Sequence, residues 1–320
     1  MKLRKIYALA LTIQVTVLHA GNSSAQSYPE RPIRIIVPFS AGGAADISTR
    51  IISPKLGEFL GQQVVVDNRP GAGTIIGTDL LAKAAGDGYT LMMANVSFSA
   101  NPALHSKLPY DSAKDFVYIS LVDLMPNVLL VHPSIPARSV PELIALAKSR
   151  PGQLNYASAG IGSANYLNTE LFKSETGVNL VHVPYQGGGQ AMTAILGGET
   201  QALFITVPPA LPHIKSGRVR ALAATSLKRL PALPEVPTIS ETVLPGFQFS
   251  EWHGLLAAAG TPRSVITRLN REVNKIVAIP EVRERIAGLG AEANGGTPEQ
   301  MIEHVQSEMK KWAKVLKPVD

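Results

Sequence analysis

The stretch PIRIIVPFSAGG, residues 32–43, contains the pattern that decides the fold. Its first half is an apolar, β-branched run that predicts a short buried strand, and Gly42 and Gly43 follow as a tight turn. A helix-like segment then begins near residue 43. A strand, a glycine turn and a helix in this order form the unit from which α/β sheets are built.

The same alternation continues along the chain and predicts mainly parallel sheets with helices on both faces. The further predicted strands are 64–68, 90–94, 117–132, 154–157, 180–183, 202–206 and 220–225. The predicted helices are 43–60, 74–85, 139–149, 163–175, 188–196 and 208–215, with two C-terminal helices that start at Pro262 and Pro298. The fold class is therefore α/β.

Three glycine-rich turns each lie between a predicted strand and a predicted helix. Besides residues 38–43, they are ASAGIGS at 157–163 and PYQGGG at 184–189. Glycine lets the backbone approach a ligand, and the helix start offers unpaired N–H groups that favour anions. None of these turns contains Lys or Arg, so a carboxylate would be held by backbone amides, hydroxyls and bridging water. The alternative is that glycine only permits tight turns, but three such turns, with Phe39 and Tyr185 beside two of them, favour binding.

Common signatures of catalysis and metal binding are absent from the sequence. It lacks the G-x-S-x-G, phosphate-loop and H-E-x-x-H patterns, and its histidines form no pair at ligand spacing. The absence of cysteine excludes disulfides, thiolate metal sites and Cys nucleophiles. We expect no enzymatic activity, no cofactor and no metal. The alternative, a hydrolase using Ser97 or Ser163, requires a histidine within about 3 Å of either hydroxyl.

The amino terminus is typical of a secretory signal peptide. Cations within residues 2–5 precede an apolar stretch at 6–18, and small residues follow up to Ala25. The apolar stretch is shorter than the roughly 20 residues that span a bilayer. We expect cleavage after Ala25, with Ala20 as the alternative site, and export to the periplasm. An amphipathic first helix of a cytoplasmic protein is disfavoured because the apolar residues form no helical stripe.

The charge of the chain argues against nucleic acid as a partner. The formal net charge of +6 falls to +3 without residues 1–25, and no run of Lys and Arg is longer than two residues, as at Lys228–Arg229. Proteins that bind nucleic acids usually concentrate Lys and Arg in a patch or stripe. We expect a small-molecule ligand and a monomer, in a chain long enough for two lobes with separate cores.

Short sequence blocks extend over nearly the whole chain and together resemble one family. They are PIRIIVPF at 32–39 with Gly42, Gly43 and Asp46, NRPGAG at 68–73 with Ile76 and Gly77, DGYTL at 87–91, NP at 101–102, KLPYD at 107–111, KDF at 114–116, VPY at 183–185, and AGTP at 259–262. These blocks resemble the Bug family, the periplasmic receptors of tripartite tricarboxylate transporters.

The resemblance implies a two-lobed "Venus flytrap" binding protein in which the chain crosses twice between lobes. We expect the crossings on the strand after Phe116 and near residues 247–256. The expected division is 1–25 signal peptide, 26–125 lobe 1, 126–249 lobe 2, and 250–320 the return of lobe 1. Such a protein captures a small organic acid for transporter uptake, its partners being the membrane subunits. The alternative is a sensory receptor that presents the ligand to a sensor kinase.

The resemblance also implies a set of ligand-binding residues. Lobe 1 would supply Phe39, Ser40, Ala41, Gly42 and Asp46, and lobe 2 would supply Ser158, Gly160, Gly162, Ser163, Tyr185 and Gly187. The candidate set is completed by Ser97, Tyr166 and Thr206.

Two departures from the family leave the identity of the ligand open. Tyr166 stands where family members commonly have His, and residues 199–202 stand where they commonly have Asp. Dicarboxylates, tricarboxylates, amino acids and aromatic acids all remain candidates. Asp46 has an alternative role, because an acid in the first turn of a helix stabilises the helix dipole without touching a ligand.

Overall fold

A computed structural model describes residues 28–319 and shows two groups of strands joined through long shared strands. The strands are β1 Ile33–Val37, β2 Val64–Asn68, β3 Thr90–Asn95, β4 Phe116–Val131, β5 Leu154–Ser158, β6 Leu180–Pro184, β7 Ala202–Thr206, β8 Arg220–Ala224, β9 Ser250–Ala258 and β10 Glu292–Ala293. The predicted signal peptide, residues 1–25, lies outside the described residues.

Helices cover the sheets, and a 3₁₀ turn at Ala72–Thr74 precedes the second of them. They are α1 Ala44–Leu60, α2 Ile75–Ala82, α3 Val96–Leu104, α4 Val140–Ser149, α5 Ala164–Thr176, α6 Gly188–Leu196, α7 Val207–Lys215, α8 Ile239–Thr242, α9 Arg263–Ala278, α10 Pro280–Gly288 and α11 Pro298–Val315. Within residues 28–319, no helix is both long and apolar enough to cross a membrane.

The parallel strands fall into two sets, one in each lobe. In the first set β1 pairs in parallel with β2 and β3, and in the second β5 pairs in parallel with β6 and β7. The strands β4 and β9 lie between these sets and pair antiparallel with each other and with β3 and β7. The sequence alternation predicted the parallel sets but not the antiparallel centre.

The antiparallel centre follows from the path of the chain between the lobes. Strand β4 pairs with β9 as far as Pro126, and from Asn127 it pairs with β7. On the way back, Phe249 donates its N–H to Thr225 O in the second lobe, and Ser250 begins β9. The chain leaves the first lobe on β4 and returns to it on the adjacent strand β9, so these two crossing segments run in opposite directions. The two-lobed α/β fold is confirmed.

Apolar side chains are buried in three clusters. One fills the first lobe between its sheet and the helices α1, α9 and α10, and another fills the second lobe around β7, α6 and α7. The third extends across both lobes and includes Leu104 of α3, Leu167 of α5 and Trp312 of α11. The contact between α3, α5 and α11 is therefore part of the core and joins the lobes beside the crossing strands.

Candidate functional site

The glycine turns predicted from the sequence all lie at carboxyl ends of parallel strands. Residues 38–43 join β1 to α1, residues 159–163 join β5 to α5, and residues 185–187 join β6 to α6. The last two turns are neighbours, because Tyr185 donates its N–H to Ser158 O at 2.9 Å. Carboxyl ends of strands in open α/β sheets are the usual position of a ligand crevice.

A segment of the first lobe lies between its glycine turn and the second lobe. A Cβ placed on Gly77 of α2 would lie 2.7 Å from Pro38 Cβ, so α2 packs closely against the turn 38–43. A Cβ placed on Gly73 would lie 3.8 Å from Ile161 O in the turn 159–163. The turns of the two lobes therefore border one shared region, with residues 73–77 at its edge.

The turn 38–43 presents its backbone to solvent. Ser40, Ala41 and Gly42 are exposed, and Phe39 beside them is half-buried. Gly42 has a φ of +82°, a conformation that residues with a side chain rarely adopt. The helix behind this turn is 17 residues long, and its first N–H groups have no partner within the helix. This turn can therefore offer amides to an anion.

Asp46 is fully engaged within the first lobe. Its carboxylate accepts hydrogen bonds from Gly42 N at 2.9 Å, Arg50 Nε at 3.0 Å and Asn68 Nδ2 at 3.0 Å. Burial alone would raise the pKa of Asp46, but these hydrogen bonds hold the pKa below its usual range. These contacts favour the interpretation that Asp46 stabilises the first turn of α1 and shapes the glycine turn.

The turn 159–163 is built from two glycines and two serines. Gly160 and Gly162 have φ values of +106° and +79°. Ser158 Oγ accepts a hydrogen bond from Gly160 N at 3.0 Å, and Ser163 Oγ donates to Gly160 O at 2.6 Å while capping α5. The serine hydroxyls thus fix the shape of the turn whose amides begin α5.

His182 is a residue of this site that the sequence analysis missed. Its Nε2 lies 2.6 Å from Ser158 Oγ, and its ring stacks on Tyr156 and contacts Tyr166, each with centroids 4.9 Å apart. Burial lowers the pKa of His182, so its imidazole is neutral at neutral pH. Tyr156 and His182 are register partners on adjacent strands, a relationship that only the strand pairing reveals.

The turn after β6 has a different backbone conformation. Gly187 has a φ of 167°, which is extended backbone, and a Cβ placed there would meet no atom within 4 Å. The half-buried ring of Tyr185 lies beside this turn, and its hydroxyl donates to Glu199 Oε2 at 3.2 Å. The segment 199–202, where the sequence departs from the family pattern, thus contacts a candidate ligand-binding side chain.

The remaining candidates occupy two other strand ends. Ser97 follows β3, is buried, and donates its hydroxyl hydrogen to Gly162 O at 2.7 Å. Thr206 is half-buried at the start of α7 and lies opposite Asn127 of β4. Neither Ser97 nor Ser163 has a histidine among its hydrogen-bond partners in residues 28–319, the contact that the hydrolase alternative requires. The same described part of the chain contains no group of three metal-binding side chains.

A buried charged cluster lies where the two crossing strands run together. His253 of β9 places Nδ1 at 2.7 Å from Asp123 Oδ1 of β4 and Nε2 at 3.6 Å from Glu251 Oε1. Asn95, at the end of β3, donates from Nδ2 to the same Glu251 oxygen at 3.1 Å. Burial alone would lower the pKa of His253, but the two carboxylates raise it to about 10. The imidazole is therefore charged at neutral pH.

A family model described as the tripartite tricarboxylate transporter family receptor matches residues 48–320. The chain belongs to this receptor family. Receptors of this family are periplasmic solute-binding proteins, which agrees with the resemblance to the Bug family. Because the family consists of receptors, the prediction that the protein is not an enzyme is confirmed.

Individual proteins of known sequence or structure are similar to this chain over most of its length. Protein BugT of Bordetella pertussis is 39% identical over 319 residues, which cover 99% of this chain and 98% of BugT. The structure of Rpa4515 of R. palustris with adipate has a TM-score of 0.82 at 36% identity and covers 90% of this chain and 97% of Rpa4515. MatC of Rhodopseudomonas palustris with bound malate has a TM-score of 0.81 at 33% identity and covers 90% of this chain and 99% of MatC.

Proposed function

We propose that this receptor captures a small dicarboxylate between its two lobes and holds it by backbone amides. The observation that carries the proposal is the set of glycine turns at helix starts, 38–43, 159–163 and 185–187, none of which contains a cation. Helix N-termini bind anions through free N–H groups and the helix dipole. The similar proteins Rpa4515 and MatC hold adipate and malate, which are both dicarboxylates.

Both lobes contribute groups to ligand binding. In lobe 1 the exposed amides of Ser40 and Ala41 serve the ligand, since Gly42 donates its N–H to Asp46 and shapes the turn, and the ring of Phe39 lies beside the apolar part of the ligand. In lobe 2 the amides of Gly162 and Gly187 contribute, while Gly160 and Ser163 donate their N–H groups within the turn and fix its shape. The side chains of Ser158, Tyr166, Tyr185 and Thr206 line the region. Helix-end interactions are individually worth about 0.3–2 kcal/mol, so the affinity comes from several acting together.

Lobe 1 comprises residues 26–125 and 250–320, and lobe 2 comprises residues 126–249. The change of partner of β4 between Pro126 and Asn127 supports the first boundary, and the start of β9 at Ser250 supports the second. Ligand binding shifts the lobes towards closure to the extent that it favours the closed form over the open one.

The receptor acts in the periplasm as a monomer, after removal of residues 1–25, and delivers its ligand to the membrane subunits of a tripartite transporter. The family description supports this partner. The positively charged start of the sequence and the following apolar stretch support export.

A thermal-shift screen of purified mature protein tests the proposed function. Adipate, malate, citrate, aspartate and benzoate are compared with ATP and with Zn²⁺. A ligand present at 100 times its dissociation constant stabilises the folded state by about 2.7 kcal/mol. We expect at least one dicarboxylate to raise the melting temperature while ATP and Zn²⁺ do not. Stabilisation by ATP or Zn²⁺ alone, or chemical turnover of a stabilising acid, contradicts the proposal.

A further inference from the structure

One face of helix α3 is directed at a single glycine of the other lobe. Ser97, Asn101 and Leu104 are spaced by four and three residues, so their side chains share one face of the helix. Ser97 Oγ donates to Gly162 O at 2.7 Å. A Cβ placed on Gly162 would lie 3.3 Å from Leu104 Cδ1 and 3.8 Å from Asn101 Oδ1. The helix thus packs directly against the backbone of the turn 159–163.

The amino end of helix α3 is fixed to the first lobe through Asn95. Asn95 Oδ1 accepts the N–H of Ser97 at 3.0 Å and caps the helix. Its Nδ2 donates to Glu251, which faces the buried pair of His253 and Asp123 on the crossing strands. A continuous series of polar contacts therefore leads from the crossing strands to Ser97.

The middle of helix α3 is fixed through Asn101. Its Nδ2 donates to Gly73 O at 3.0 Å and to Thr74 Oγ1 at 3.2 Å, and the residue is completely buried. Gly73 is also the residue that approaches Ile161 of the second lobe. Asn101 therefore orders the segment of the first lobe that borders the turn 159–163.

The turn 159–163 needs such external support because of its composition. Gly160 and Gly162 both have positive φ values, and glycine loses more conformational freedom on ordering than any other residue. The hydrogen bonds made by Ser158 and Ser163 are local to the turn. Ser97 of the other lobe, in contrast, donates a hydrogen bond to Gly162 O of this turn.

We propose that Ser97 and Asn101 are positioning residues, which hold the turn 159–163 in its binding conformation without touching the ligand. The inference rests on the proposed function in one respect, namely that this turn binds the ligand. A site that is already ordered loses less conformational entropy when the ligand binds. The apparent affinity falls in proportion to the fraction of protein molecules that are in the binding-competent conformation. The contact acts before the ligand arrives, so it governs the association rate.

Hydrogen exchange of the ligand-free protein tests the positioning role without any ligand. The variant is Ser97→Ala, and the matched control is Ser99→Ala. Ser99 is equally buried in α3, but its hydroxyl donates to Val96 O within the same helix. We expect Ser97→Ala to accelerate exchange roughly five-fold in peptides covering residues 157–166, as loss of one hydrogen bond implies. Equal exchange in the two variants, at matched melting temperatures, overturns the inference.

Stopped-flow binding of adipate provides the second test. We expect Ser97→Ala to slow association roughly three- to ten-fold with little change in dissociation, whereas Ser99→Ala binds like the unmodified protein. Faster dissociation with unchanged association overturns the inference, because it would make the contact a latch of the closed state. If the unmodified protein binds no dicarboxylate, the proposed function fails, while the exchange experiment still decides whether Ser97 orders the turn.

Discussion

His253 and Asp123 lie directly opposite each other on the two strands that connect the lobes, with Nδ1 and Oδ1 2.7 Å apart. Both side chains are completely buried. A charged pair in such surroundings is sensitive to the loss of either partner, because the remaining charge has no water to solvate it. The pair therefore ties β4 to β9 within the segments where we predict that the lobes bend.

Removing the carboxylate of this pair should destabilise the protein strongly. We expect Asp123→Asn to lower the free energy of unfolding by about 3–5 kcal/mol, because the imidazolium of His253 would lose its closest carboxylate. Urea denaturation measures the loss. The exposed pair of Lys55 and Glu58 supplies the control, and Glu58→Gln should change the free energy of unfolding little, because water screens the pair. A similar small loss for both variants would mean that the buried pair contributes little.

The stability of the protein should fall with pH as His253 loses its proton. Its folded pKa of about 10 lies above the ordinary value of about 6.5, so the charged form is favoured by folding. The stabilisation is complete below pH 6.5 and is lost as the pH rises towards 10. Urea unfolding at pH 7 and pH 9.5 should show a smaller decrease for His253→Gln than for the unmodified protein. Equal decreases would contradict a raised pKa.

Loss of the imidazole beside Ser158 should weaken ligand binding moderately. His182→Phe keeps a ring against Tyr156 but removes the contact with Ser158 Oγ, and we expect adipate affinity to fall roughly five-fold, equivalent to about 1 kcal/mol. Isothermal titration calorimetry measures the change. His132→Phe removes a similar contact, between His132 and Ser134 outside the glycine turns, and serves as the control that should bind adipate like the unmodified protein. Unchanged affinity in His182→Phe would remove His182 from the site.

Ligand binding should make the protein more compact. Small-angle scattering with saturating adipate should give a smaller radius of gyration than without it, because the ligand favours the closed form. The bending should occur in residues 120–128 and 248–256, where β4 changes partner and β9 begins. A radius that is unchanged at saturation would show that the lobes do not move.

The strand and turn positions could be predicted because they depend on local sequence. Strands β2 and β7 have the predicted bounds, and each glycine turn lies between the expected strand and helix. Strand direction and partner choice are not local properties. The sequence therefore predicts a crossing near residues 247–256, but it does not predict that β9 lies at the centre of the sheet between β3 and β4.

Helix α3 shows why part of the site could not be predicted. Its sequence VSFSANPAL contains Pro102 and two serines, has no clear apolar stripe, and has low helix propensity. The helix forms because Asn95 caps it and because both lobes pack around it. The partnership of Ser158 with His182 was missed for a similar reason, since the residues lie on different strands.

On the proposed function, backbone amides and not a cationic side chain hold the carboxylate of the ligand. The conformations of the three turn glycines determine which substitution tests this. Gly42 and Gly160 have positive φ values, so substitution there would strain the backbone as well as fill space. Gly187 is extended and faces open space, so a side chain there tests bulk alone. Arg34 and Arg69 are controls, because both pair with Asp67.

The most direct measurement is calorimetric titration of the Gly187→Val variant with adipate, beside Arg34→Gln and Arg69→Gln. We expect Gly187→Val to lose at least about tenfold in affinity at an unchanged melting temperature, equivalent to about 1.4 kcal/mol, while each arginine variant stays within about threefold of the unmodified protein. A buried pair of Arg and carboxylate would lose several kcal/mol when the arginine is removed. Loss of binding in a normally folded arginine variant, with Gly187→Val still binding fully, would contradict the account.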